Sequence, residues 1–410
     1  MTPDAPDAGD LPEVAPAPHA VMQAYPWDLY SHGPEAALDE LRACGVDAVQ
    51  LSFSYHVASF LTPRQPAGRV RAGEPGAIQF DPSVLGSAWP VEPVVAPYVT
   101  GPGYVAGLLE AAAERELRVT AWVVYLYNHA LASRRPDLAV ENAYGDRHGA
   151  QLCPANPLVR QYVRSLTEAV LSHEHLTGVF VESLSYLPYD YGLLNLKAAV
   201  RPGAESALLL GLCFCEHCRG RARAAGVEAE GLWRAVARAV DHELSRLPDG
   251  AGAGDEARAL VEQDFDLRAY LDVRAGTAGS LHREVLQAAR ARGLRTATNA
   301  AERQDPRVTG VTAEAIGALR TDYRFEALPG CDDRRRDEAV AAARAAAGPS
   351  ATVYALAQLG SFPDERSFVS SLAALSERGV RRFRFYEFGL LSRRQLAWLR
   401  GAKGLWAGQS

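Results

Sequence analysis

Eight times along the chain, a short run of apolar, β-branched or aromatic residues is followed by a segment with helical spacing. That alternation constrains the fold more than any other feature. The runs cover 19–30, 48–55, 119–127, 178–184, 295–299, 322–328, 352–358 and 382–388. The segments between them carry helix signals. Pro34 opens one, Asn156-Pro157 another, and Thr312 caps a third. The Asp332-Asp333 pair and Asp364 begin two more, and Ser392 with Gln395 forms a capping box. Strands separated by helices must pair in parallel, and eight such units close into a ring. The predicted fold is an α/β (β/α)8 TIM barrel. No glycine-rich turn follows the first run, as a doubly wound dinucleotide-binding sheet would require.

The barrel is expected over 19–410, behind a disordered proline- and alanine-rich tail at 1–18, with a metal-binding insertion at 186–255. A long loop from 56 to 102 after the second strand predicts a lid or a cleft wall. An apolar share of 48% is that of a folded protein, and 43 basic against 49 acidic residues leave a net charge of −6. That balance argues against a nucleic-acid partner, which needs a basic face. No apolar run reaches the ~18–20 residues that span a bilayer, so no membrane partner is expected. The acidic start, with Asp4, Asp7 and Asp10, is unlike a secretory signal, and the expected address is the cytoplasm. A homo-oligomer is compatible with the sequence. Only two lysines occur, Lys197 and Lys403, and neither ends a strand, which excludes lysine Schiff-base chemistry.

Four of the six cysteines form a set. Cys213, Cys215 and Cys218 stand in a C-x-C-x-x-C arrangement, whose sulfurs can converge on a tetrahedral ion about 2.3 Å away. Cys153 is the fourth donor, with His217 as an alternative. An all-thiolate site of this kind is closed, so the expected cofactor is structural Zn2+. Reduced thiols without metal are the competing interpretation.

In such a barrel the chemistry gathers where the strands end. Those positions hold Trp27 and Asp28, Tyr55 and His56, Asn128 and His129, Glu182 and Tyr186, Asn299, Glu326, Gln358 and Glu387. Carboxylates, amides, imidazoles and aromatic rings suit a polyhydroxylated ligand, whose C–H faces stack on rings while its hydroxyls bind polar groups. Glu182 sits in an otherwise apolar strand, where a carboxylate is costly unless paired or used. It is the candidate acid/base. Glu387 and Glu326 are the candidate partners, because glycosidic cleavage uses two carboxyl groups. The other residues named are candidate substrate contacts, and each also has an ordinary packing or capping role open to it. The expected partner is a small-molecule or oligosaccharide substrate.

The stretches 151–157, 178–186 and 212–218 resemble uncharacterised glycoside-hydrolase-like barrel proteins. The cysteine arrangement is similar to the zinc cluster of clan A bacterial beta-galactosidases. The resemblance implies a glycoside hydrolase, with Glu182 as acid/base and Cys153, Cys213, Cys215 and Cys218 as zinc ligands. Two positions depart from it: Val181 stands where that clan has an asparagine before the acid/base, and Gln358 stands where the nucleophile ends strand seven. An acid/base isomerase, epimerase or lyase acting on a sugar-like metabolite, or a catalytically silent carbohydrate-binding barrel, accommodates both departures.

Overall fold

The computed structural model describes residues 12–65, 68–86, 89–193, 195–247, 254–299, 305–327 and 329–407. The barrel strands are β1 (Ala20–Ala24), β2 (Ala48–Tyr55), β3 (Arg118–Val124), β4 (Leu176–Glu182), β5 (Arg295–Thr298), β6 (Asp322–Glu326), β7 (Thr352–Gln358) and β8 (Phe383–Tyr386). Each pairs in parallel with the next. β8 then pairs with β1, Ala20 opposite Phe383 and Met22 opposite Phe385, so the ring closes. The (β/α)8 barrel is as the alternation predicts.

Both faces of each strand are covered, which is why the runs read as continuously apolar. Alternate residues still face opposite ways. Val179, Val181, Phe383 and Phe385 belong to the main core under the surrounding helices, whereas Trp122, Val124, Phe180 and Ala297 form a second cluster. Low in the ring, Asp322 takes hydrogen bonds from Arg295 and, at 2.9 Å, from Arg384, whose other nitrogen donates to Gln50 at 2.5 Å.

The first strand is shorter than expected. It stops at Ala24, and a helix runs over Pro26–His32 with proline at its first position. Proline lacks the N–H that a ladder uses and is preset for a first helical turn, whereas the apolar pattern continues unbroken across the boundary. β6 ends at Glu326; Leu328, the expected end, lies outside the described residues. Of the predicted tail, 1–11 lie outside the described residues, but 12–18 run across the base of the ring. There the carbonyls of Ala15, Pro16 and Pro18 accept from Arg295, Arg118 and the Tyr354 hydroxyl. Backbone carbonyls meeting fixed guanidinium donors hold the segment, which composition alone does not reveal.

The loop after β2 carries a small antiparallel pair, Ser59–Leu61 with Val70–Ala72, and a short strand, Ala77–Ile78, that extends the sheet against β2. After β3 comes a hairpin absent from the sequence expectations, Ala139–Glu141 with Arg147–Leu152. Among the described residues, four helices lie between β4 and the long helix Phe265–Arg290: Ala204–Leu210, Glu216–Ala224, Ala229–Leu244 and Asp255–Gln263. Among the described residues, no helix is long and apolar enough to cross a membrane.

Candidate active site and metal centre

Strand parity builds the mouth of the barrel. On β4, Phe180 faces inward, and so Glu182, two residues on, does too. On β6 the Arg324 guanidinium lies 4.5 Å over the Phe180 ring, which places Arg324, and by the same alternation Glu326, on the inner face. The inner rim is then Tyr25 just past β1, Tyr55 on β2, Trp122 on β3, Glu182 on β4, Asn299 just past β5, Glu326 on β6, Gln358 on β7 and Tyr386 on β8. One side of the mouth is an arc of rings. Tyr25 meets Tyr55 with ring centres 4.9 Å apart, Tyr55 meets Trp122 at 4.9 Å, and Trp122 meets Tyr386 at 6.4 Å. The other side carries carboxylates and amides.

Three contacts order the polar groups. Trp122 donates its indole N–H to Glu182 Oε2 at 2.6 Å, while Oε1 has no hydrogen-bond partner among the described residues. Gln358 donates from Nε2 to Glu326 Oε1 at 3.0 Å. His56 stacks between Tyr55 and Tyr127, at 4.2 and 4.4 Å. Burial, then the Tyr386 hydroxyl and the Glu182 carboxylate, hold the Tyr55 phenol well above its ordinary range, so it stays a neutral donor. Trp122, Tyr25 and Tyr386 were not among the expected site residues. Trp122 is found only from the register, which sets it opposite Phe180 on β4.

Several expected contacts lie elsewhere. Glu387 is fully buried, with Oε1 accepting from Leu390 N–H at 2.8 Å and Oε2 from Gly389 N–H at 3.3 Å, so it caps a short 3-10 turn. The carboxyl of Asp28, also fully buried, packs against Gly389, lies beside the Glu387 carboxyl and accepts from Gln65 at 3.2 Å. Two carboxyls buried side by side disfavour each other's ionisation. Burial is the main cause raising Asp28 to about 7, against Arg71 and Arg64, and burial plus the Asp28 charge push Glu387 well up. A substrate does not reach either one in this arrangement. Trp27, nearly buried, stacks flat on Tyr25 at 4.2 Å beneath Arg71. Asn128 caps the helix His129–Arg134 through Leu131 N–H and donates to the Gly76 carbonyl. His129 is bonded through Nε2 to the Gly192 carbonyl at 2.9 Å. Tyr186 is buried against the thiols, its hydroxyl 3.5 Å from Cys218 Sγ. A residue that ends a strand in the sequence points into the mouth only if its parity is right, and these six follow other elements. Tyr55, His56, Glu182, Asn299, Glu326 and Gln358 are the expected residues that the fold brings to the mouth.

The four cysteines do converge. Their sulfurs all lie within 4.8 Å of one another, with Cys153 3.6 Å from Cys215 and from Cys218 and 3.7 Å from Cys213. A tetrahedral ion at 2.3 Å from each sulfur requires about 3.8 Å between sulfurs, whereas a disulfide requires about 2 Å. The spacing therefore fits a metal. Glu141 N–H donates to Cys213 Sγ at 3.4 Å, the kind of outer contact that orients a thiolate ligand. Cys153 follows the hairpin after β3, and Cys213, Cys215 and Cys218 belong to the insertion after β4, so the cluster fastens two otherwise separate segments.

No protein-family model matches the chain, and no curated protein matches it. Solved structures do. The glycoside hydrolase domain of PgaB from Bordetella bronchiseptica is 12% identical with a TM-score of 0.53, over 94% of this chain and 98% of that one. A beta-galactosidase from Halorubrum lacusprofundi is 11% identical with a TM-score of 0.55, over 94% of this chain and 57% of that one. An alpha-L-fucosidase from Paenibacillus thiaminolyticus is 13% identical with a TM-score of 0.51, over 91% of this chain and 46% of that one. The chain thus spans about half of the last two enzymes. At these identities what is shared is architecture: the chain has the (β/α)8 fold of these glycoside hydrolases.

Proposed function

We propose that the protein is a glycoside-hydrolase-like enzyme acting on a small-molecule or oligosaccharide substrate by carboxylate acid/base chemistry. The observation that carries this reading is Glu182 at the inner rim, with one oxygen held by the Trp122 indole at 2.6 Å and the other unpartnered among the described residues. Such a carboxyl is fixed in direction yet available to hand a proton to a leaving oxygen. Glu326, held by Gln358, is the second carboxylate in this scheme, since Glu387 is sealed beneath the rim. The arc of rings supports a sugar's C–H face, and Asn299 and Gln358 supply hydroxyl contacts. A structural zinc ion on Cys153, Cys213, Cys215 and Cys218 completes the proposal by keeping the insertion against the hairpin after β3. The cytoplasm goes with it, because a four-thiol site persists where thiols stay reduced.

A panel of 4-nitrophenyl glycosides tests the reading. Turnover of the best substrate should fall about 10²- to 10⁴-fold in Glu182→Gln; unchanged turnover dismisses Glu182 as acid/base. Gln358 favours a second reading: an amide at the end of β7 cannot form a glycosyl ester, whereas an isomerase, epimerase or lyase needs an acid and a base only. A product of unchanged mass decides for an isomerase or epimerase, and two products whose masses sum to that of the substrate with no water added decide for a lyase.

A further inference from the structure

We propose that His56 Nε2 is a hydrogen-bond acceptor built into the barrel mouth, one that reads a donor hydroxyl on the ligand and so determines specificity. The proposal deepens the sugar-processing reading and rests on it.

The tautomer follows from geometry. His56 Nδ1 lies 2.7 Å from the carbonyl oxygen of Val57, and a carbonyl only accepts, so Nδ1 carries the ring hydrogen. In a neutral imidazole Nε2 is then a bare lone pair. The neutral form is favoured because burial lowers the affinity of the ring for a second proton, with His129 adding to that and the Glu182 charge and the Val57 carbonyl opposing it. Tyr55 and Tyr127 stack on the two faces at 26° and 28°, which fixes the ring plane. The groups that face it are therefore two phenols, His129 and Glu182. In His32, His148, His173 and His282, Nε2 is enclosed in protein without a hydrogen-bond partner; His56 Nε2 is not among the enclosed atoms and has no partner among the described residues. It is an acceptor on the same rim as Glu182, where the proposed function places the ligand.

Such an atom discriminates. A ligand hydroxyl or amide N–H satisfies it, whereas a deoxy or O-methyl group covers it and leaves it unpaired, which costs more than the bond itself contributes. The neutral phenols donate, so His56 is the complementary acceptor for a polyol whose hydroxyls each need one partner of each kind.

Two measurements test this on the full-length protein. Nitrogen-15 spectra, with the His56 signals assigned by their absence in His56→Phe, should show Nδ1 protonated and Nε2 bare at pH 7.5. A protonated Nε2 overturns the proposal. Calorimetry then compares glucose, galactose, mannose, fucose and N-acetylglucosamine, and the deoxy and O-methyl derivatives of whichever binds best. His56→Phe keeps the stack between the two tyrosines but has no acceptor. It should weaken the best sugar about 10- to 100-fold and abolish the discrimination against one derivative. Equal affinity in parent and His56→Phe overturns the inference alone. A parent protein that binds no sugar in the panel overturns the functional reading and this inference with it.

Discussion

Asp28 and Glu387 lie side by side out of reach of water, and the burial that raises both carboxyls makes stability depend on pH in a direction opposite to that of most acidic residues. The folded state holds Asp28 near 7, whereas an unfolded aspartate titrates near 3.9. The stability contributed by Asp28 is complete below pH 4 and is lost as pH rises to about 7, because the folded chain keeps a proton that the unfolded chain releases. Urea unfolding should therefore show a loss on the order of 4 kcal/mol between pH 4 and 8, superimposed on other titrations. In Asp28→Asn the Asp28 share of that slope should vanish, leaving only what burial of Glu387 contributes; an unchanged slope would mean that Asp28 is already ionised in the folded chain near pH 6. These two residues also mark where residue-level legibility stops. Glu182 and Glu387 look alike in the sequence, each a carboxylate after an apolar run. Glu182 ends β4 on the inner face. Glu387 lies one residue past the inward Tyr386 and turns away to cap Leu390 and Gly389. A single step of parity separates a group at the mouth from a buried one.

At the scale of elements, the local signals were readable and the assembled ones were not. Asn156, Thr312, Asp332 and Asp364 each cap the helix expected to follow, and both hydrogen bonds of the Ser392–Gln395 box are present. A cap is a contact across three residues, so sequence records it. Ser392→Ala should destabilise the chain by about 1 kcal/mol in chemical denaturation, and Ser392→Thr by much less. The hairpin after β3 was not legible, because its stability comes from distant partners, including Phe214 N–H on the Glu141 carbonyl at 2.6 Å. The thiol cluster ties that hairpin to the insertion. Elemental analysis should find about one zinc per chain. Cys215→Ser, or a strong chelator, should release it and make the segment 204–263 cleavable by protease ahead of the barrel strands. Retained metal in Cys215→Ser would remove that residue from the ligand set.

For the molecule as a whole, closure depends on polar groups inside the ring as well as on the apolar shell. Arg295 and Arg384 both bind Asp322, and all three are nearly buried. Asp322→Ala leaves two enclosed guanidinium groups uncompensated and should cost about 3–5 kcal/mol, measured by thermal or urea unfolding. A loss under 1 kcal/mol would mean that water already reaches them. The eightfold alternation made the architecture legible, but a sequence pattern does not say which strands contribute charge to the interior, since that depends on the register at which β5, β6 and β8 meet. The base of the ring has a practical corollary. Three carbonyls between Ala15 and Pro18 answer Arg118, Arg295 and Tyr354 from below, so this stretch works as a floor under the bundle of strands. Without it the bottom comes off the vessel, and the three donors above are left facing water.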